Sequence, residues 1–142
     1  MAFQRVLVPI DGSEGSKRAL DLAMKLADSD ANVHFDVLYV VPIPRLSDSM
    51  ATDVQKITDM MKEDGKKILA EAIDYMGDAG EQAEALMSSS VNPAAEIIKM
   101  TEKNTYDMII IGNRGLSGRK EYAGSVSYKV LHASKTPVLI AK

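Results

Sequence analysis

The chain has 142 residues, 46% hydrophobic and 26% charged, with a formal net charge of −3 and no cysteine. That length suits a single domain, residues 1–142, which can bury a core without a metal or disulfide staple. The acidic balance argues against nucleic acid as a partner, and the missing cysteines exclude iron–sulfur and cysteine-nucleophile chemistry; His34 and His132 stand too far apart for zinc-ligand spacing.

The first residues, Met1-Ala2-Phe3-Gln4-Arg5, run straight into an apolar stretch without the pattern of a signal peptide. No apolar run approaches the roughly 20 residues that cross a bilayer. A cytoplasmic protein without a membrane partner is expected.

Arg5 to Ile10 reads as a first strand, closed by the turn-forming Asp11-Gly12-Ser13. Glu14 to Asp28 repeats Ala19, Leu22, Ala23, Leu26 and Ala27 at helical spacing. Asn32 to Val41 is a second strand ending at Pro42, and residues 45 to 52 read as a polar loop. A long helix then uses Val54, Ile57, Met60, Met61, Ile68, Leu69, Ala72, Ile73 and Met76, and stops near Gly77. The spacing of Met60, Met61 and Met76 assigns all three to core filling.

A weaker strand covers Ala83 to Ser88, and Asn92-Pro93 caps a third helix. Tyr106 to Ile111 is a continuous apolar strand of the kind buried on both faces. A last helix runs from Gly124 or Ser125 to about Ser134, and Pro137 to Ala141 is the closing strand. Strict alternation of strand and helix predicts an α/β fold, a parallel sheet covered on both faces.

Ligands of such sheets bind beyond the carboxyl ends of the strands. Two stretches lie there: Asp11-Gly12-Ser13, and the loop in "IIIGNRGLSGRKEYAGS", residues 109–125. Glycines let a backbone approach an anion, and the helix start at Gly124-Ser125 offers free N–H groups. Arg114, Arg119 and Lys120 add positive charge. The same residues equally describe a plain turn with solvated bases and an N-cap serine. Asp11 could take ribose hydroxyls or cap the following helix with Ser13. Asp107 starts a strand at the wrong edge for a ligand, Glu121 has no partner carboxylate, and His34 and His132 read as structural. No catalytic set is visible.

Five ordered blocks carry a resemblance: Val8-Pro9-Ile10-Asp11-Gly12-Ser13, Asn92 to Ile98, Asp107 to Gly118, Gly124-Ser125-Val126-Ser127 and Pro137 to Ile140. Over its whole length the chain resembles the universal stress protein family. The resemblance implies an open, Rossmann-like, five-stranded parallel sheet of order 3-2-1-4-5, a homodimer formed through the last strand (Val138, Leu139, Ile140), and either an ATP-binding or a non-binding branch. In the binding branch Asp11 would hold ribose and main-chain groups near Val40 would meet adenine. Gly112 would lie by the ribose, and Gly115, Gly124, Ser125 and Val126 would hold phosphates. Pro9 and Arg114 belong to the same expected site. The binding pattern places nine residues between the second and third glycines, whereas here eight, Leu116 to Ala123, precede Gly124. Absorbing the missing residue at the tip, around Arg119 to Tyr122, would leave the anchoring glycines in place.

The expected function is an ATP-binding regulatory switch, with Mg²⁺ as a companion ion. The alternative is a nucleotide-free dimeric interaction module. ATP hydrolysis has least support, because no residue offers a convincing base.

Overall fold

The computed structural model describes residues 4–44, 51–113 and 125–142. In chain order these form β1 (Arg5–Ile10), α1 (Glu14–Ser29), β2 (His34–Pro42), α2 (Ala51–Tyr75), a 3₁₀ segment (Gly77–Gln82), β3 (Ala83–Ser90), α3 (Pro93–Lys103), β4 (Met108–Gly112), α4 (Val126–Ala133) and β5 (Val138–Ala141). All strands pair in parallel, in the order β3-β2-β1-β4-β5. The expected α/β architecture and strand order are observed.

The reason lies in the strands. Val6, Val8, Ile10, Phe35, Val37 and Tyr39 point to one face, where α1 and α2 supply Ala19, Leu20, Ala23, Leu69 and Ala72. Leu7, Leu38, Ile109 and Ile111 point to the other, where α3 and α4 supply Ala94, Ile97 and Val130. Central strands are therefore apolar on both sides, which is why β1 reads as an unbroken apolar run. The chain leaves β1 toward the first face and β4 toward the second. Since β1 and β4 are neighbours, their carboxyl ends bound a topological switch point.

Ends of the helices follow local chemistry. Ser13 caps α1 by accepting from the Ser16 N–H, and Asn92 caps α3 by accepting from the Ala95 N–H, with Pro93 at the first helical position. Past α2, Gly77 takes φ +58, the left-handed conformation expected of a helix-ending glycine.

Three expectations change. Met76 is buried and Met61 packs on the core, but Met60 is 68% exposed: one turn of α2 faces water at that position, so it fills no core. β3 runs to Ser90, two residues beyond the predicted end, because Ser89 and Ser90 pair with Val41 and Pro42 of β2. α2 begins at Ala51, inside the stretch 45–52 read as a polar loop, and residues 77–82, to which no element was assigned, form a 3₁₀ segment. Met50, Glu121 and the shortened stretch Leu116 to Ala123 lie outside the described residues.

Candidate functional site

The turn after β1 is a hydrogen-bonded ring around Asp11. One carboxylate oxygen, Oδ1, accepts from the Ser13 N–H at 2.9 Å and from the Ser16 hydroxyl at 2.8 Å. The Ser16 Oγ in turn accepts from the Asp11 N–H at 2.8 Å. Gly12 makes the turn possible with φ +84, which side chains disfavour. Among the described residues Oδ2 takes no hydrogen bond, and Asp11 is only half-buried. The two readings of Asp11 are thus compatible: one oxygen builds the turn, and the other is left without a hydrogen bond. Ser16 was missed from sequence. Its signal is the spacing Asp-x-Ser-x-x-Ser, which puts Ser16 one helical turn past the cap.

Gly112 closes β4 where the first turn of α1 crosses it. A Cβ built there would stand 2.2 Å from the Gly15 carbonyl oxygen and 2.3 Å from its carbon. The glycine is required by this backbone-on-backbone contact, whatever it does for a ligand. The next residue, Asn113, is held from both sides, donating its N–H to the Ala141 oxygen at 2.9 Å and accepting from Arg18 Nη2 at 3.1 Å.

Of the expected ligand residues, Pro9 and Asp11 stand at the end of β1, Val40 near the end of β2 and Gly112 at the end of β4. These strands are adjacent, so the four share one sheet edge. Ser125 is the N-cap of α4, its Oγ accepting from the Tyr128 N–H at 3.2 Å, and Val126 is the first helical residue. Parallel topology puts this helix start at the same edge. Arg114, Gly115 and Gly124 lie outside the described residues.

A groove of about 330 Å³ opens elsewhere, between α1 and α2, where Ser13, Ser16, Lys17, Ile68, Glu71 and Tyr75 line it. None of the expected ligand residues does. It borders the Asp11 turn from behind, and its rim is closed by Tyr75, whose hydroxyl donates to Asp21 Oδ1 at 2.6 Å.

At the opposite, amino edge of the sheet sits a charged cluster that sequence spacing did not reveal. Asp36 is 1% exposed, and its Oδ2 accepts from the Tyr106 hydroxyl at 2.5 Å and Arg5 Nη2 at 2.7 Å. Its Oδ1 lies 2.9 Å from His34 Nε2, and Glu84 Oε2 is 3.8 Å from that nitrogen. Burial pushes the Asp36 carboxyl up, but the hydrogen bonds from Tyr106, Arg5 and His34 outweigh it and hold it below the usual carboxylate range. Burial and then the bond to Asp36 push the Tyr106 phenol well above its ordinary value. His34, Asp36 and Glu84 do gather as possible metal ligands. With Oδ2 of Asp36 already filled by Arg5 and Tyr106, hydrogen bonds account for the cluster. Nearby, Asp107 Oδ2 accepts the N–H groups of Gln4 and Arg5, fastening the start of β4 to β1 at the edge where its place before a strand put it.

Comparison with known proteins settles the lineage. The model of the universal stress protein family matches residues 2–142. The chain belongs to that family. Universal stress protein YxiE of Bacillus subtilis is 35% identical, the match covering 99% of both chains. Among solved structures, universal stress protein UspA from Lactobacillus plantarum superposes with a TM-score of 0.87 over 100% of this chain and 99% of that one; at 18% identity this shows the fold. A universal stress protein in complex with cAMP is 27% identical, with a TM-score of 0.69 over 99% of this chain and 97% of that one. A family protein from Arabidopsis thaliana with AMP bound matches at 19% identity and a TM-score of 0.71, covering 98% and 91%. Among the described residues no helix is long and apolar enough to cross a membrane.

Proposed function

We propose that this universal stress protein is an ATP-binding regulatory protein of the cytoplasm, a switch in which nucleotide with Mg²⁺ biases a dimer or its partners. The observation that carries the reading is Asp11. Its Oδ1 is fixed by Ser13 and Ser16, and Oδ2, which takes no hydrogen bond among the described residues, is left at the carboxyl end of β1, where a ribose hydroxyl could donate to it. Pro9 and main-chain groups near Val40 would border adenine on the β2 side. Gly112, Arg114, Gly115, Gly124, Ser125 and Val126 would serve the ribose and phosphates on the β4 side, with the start of α4 supplying N–H groups. The relative that holds cAMP supports an adenine ligand for the fold. Mg²⁺ would be held chiefly by phosphate oxygens, since among the described residues the one group of three or more potential metal ligands, His34, Asp36 and Glu84, stands at the opposite edge.

The test is nucleotide affinity in Asp11→Ala, which loses the free oxygen. A fall of tenfold or more relative to the wild-type protein is expected, corresponding to the loss of about one charge-assisted hydrogen bond. Unchanged affinity would remove Asp11 from the site.

A second reading, a nucleotide-free dimeric interaction module, is favoured by one observation: only eight residues separate Gly115 from Gly124. Retention of dimerisation and partner capture by a Gly115→Val variant would support it.

A further inference from the structure

We propose that His34, Asp36 and Glu84 form a site for one Zn²⁺-like divalent metal ion at the amino edge of the sheet, independent of the nucleotide reading of the opposite edge. The placement follows from strand geometry. His34 and Asp36 are two residues apart on β2, so their side chains leave the same face, and the register sets Glu84 of β3 beside Asp36. One imidazole and two carboxylates thereby converge. Nε2 of His34 lies 2.9 Å from Oδ1 of Asp36 and 3.8 Å from Oε2 of Glu84, and one ligand atom from each residue falls within 4.8 Å of the others.

This is more than a patch of surface acids, because its middle member is buried and held. Asp36 is 1% exposed, and its Oδ2 is taken by Arg5 Nη2 at 2.7 Å and the Tyr106 hydroxyl at 2.5 Å. Arg5 in turn lies over the Tyr106 ring, 4.7 Å from its centroid. These partners fix the carboxylate and leave Oδ1 turned to His34, as the outer partners of metal-binding carboxylates do. The hydrogen bonds that hold the cluster together without a metal thus also preorganise it for one.

The spacing suits a small tetrahedral ion. With metal–ligand bonds of about 2.0–2.2 Å, neighbouring donors of a tetrahedral Zn²⁺ site stand about 3.3–3.6 Å apart. The separations of 2.9 and 3.8 Å bracket that range. Movements of less than about 1 Å by His34 and Glu84 reach it, and both side chains are free to make them, being 42% and 65% exposed. The ion would take the place between Nε2 and Oδ1 that the hydrogen bond occupies, with water as the fourth ligand on the solvent side. Two carboxylates against the one guanidinium of Arg5 leave the cluster negative, which favours a cation. The imidazole nitrogen selects Zn²⁺ over Mg²⁺ and Ca²⁺, which prefer oxygen alone.

The experiment is equilibrium dialysis of the chelator-treated full chain against Zn²⁺ in excess Mg²⁺, without nucleotide, with thermal melts in each metal. Wild type, His34→Gln, Glu84→Gln and His132→Gln are compared. Wild type is expected to bind one Zn²⁺ per chain at micromolar free metal and to melt higher in Zn²⁺ but not in Mg²⁺. His34→Gln should weaken binding about tenfold or more, since loss of a ligand costs at least as much as loss of its support. Glu84→Gln should weaken it in the same direction and serves in place of His34→Gln if that variant fails to fold. His132→Gln, which alters the chain's other histidine, should bind as wild type does. No saturable Zn²⁺ binding, or binding undiminished in both His34→Gln and Glu84→Gln, would overturn the proposal, the latter by showing that the metal sits elsewhere.

Discussion

Asp11 illustrates how far single residues can be read. Its position after an apolar strand marks it as a turn and ligand candidate, and the structure commits Oδ1 to the turn while Oδ2 takes no hydrogen bond among the described residues. Asn92 is equally legible, because its partner is three residues away. Asp36 is not: its partners Arg5 and Tyr106 come from other strands and connections, 31 and 70 residues distant, and only the assembled sheet joins them. Two outcomes belong to this scale. Gly112→Ala should destabilise the fold by about 2–3 kcal/mol, since the added methyl overlaps the α1 backbone and cannot rotate away; a denaturant melt reads this, and an unchanged midpoint would mean that the helix shifts freely. Asp36→Asn should lose about 2–3 kcal/mol at pH 7, the scale of a buried hydrogen bond to a charged group. Because the folded Asp36 carboxyl is held below its ordinary value of 3.8, its contribution is complete above about pH 4 and fades as pH falls through the lower folded value. Tyr106, shifted upward, works in the other direction: its contribution is complete below its ordinary value of 10.0 and fades as pH rises toward the folded value. The difference between wild type and Asp36→Asn should therefore narrow as pH falls below about 4; a gap that widened toward acid would contradict this role of the Asp36 carboxylate.

Elements were legible where periodicity and end signals agree. β1 is bounded as expected because an apolar run meets Asp-Gly-Ser, and α3 begins at Pro93 because Asn-Pro leaves little choice. The extra length of β3 was hidden, since Ser89 and Ser90 carry no strand preference and are held by pairing with β2. Met60 misled because a 25-residue helix presents more apolar positions than one sheet face can cover. α4 is short, eight residues, and depends on its Ser125 cap. Replacement by Ala should lower stability by about 1 kcal/mol. Ser125→Asp separates cap from cradle: a carboxylate still caps the helix and keeps the melting temperature near wild type, but its charge should repel phosphate and weaken ATP binding. If both substitutions left ATP affinity intact, the start of α4 would have no part in the site.

At the scale of the whole molecule, the alternating pattern sufficed for a covered parallel sheet, while the order 3-2-1-4-5 came from family resemblance and is observed. That order leaves β5 at an edge. Since Ile109 and Asn113 donate to Pro137 and Ala141, the N–H and C=O groups of Val138 and Ile140 face outward, and Leu139 is 42% exposed. Such an edge is a template for a second strand. A two-chain mass in sedimentation equilibrium at micromolar concentration is expected, with Leu139→Lys reduced to one chain; a wild-type monomer would count against the dimer. The hydrogen bond from Asn113 to Ala141 would then join the proposed nucleotide edge to the proposed dimer strand.

The central claim, that Asp11 and the β4 edge hold an adenine nucleotide, is tested most directly by calorimetric titration of the purified protein with ATP and Mg²⁺. The account predicts saturable binding near one nucleotide per chain, weakened tenfold or more in Asp11→Ala. No heat, at protein concentrations that would reveal micromolar affinity, would contradict it and leave the dimeric interaction module as the better description.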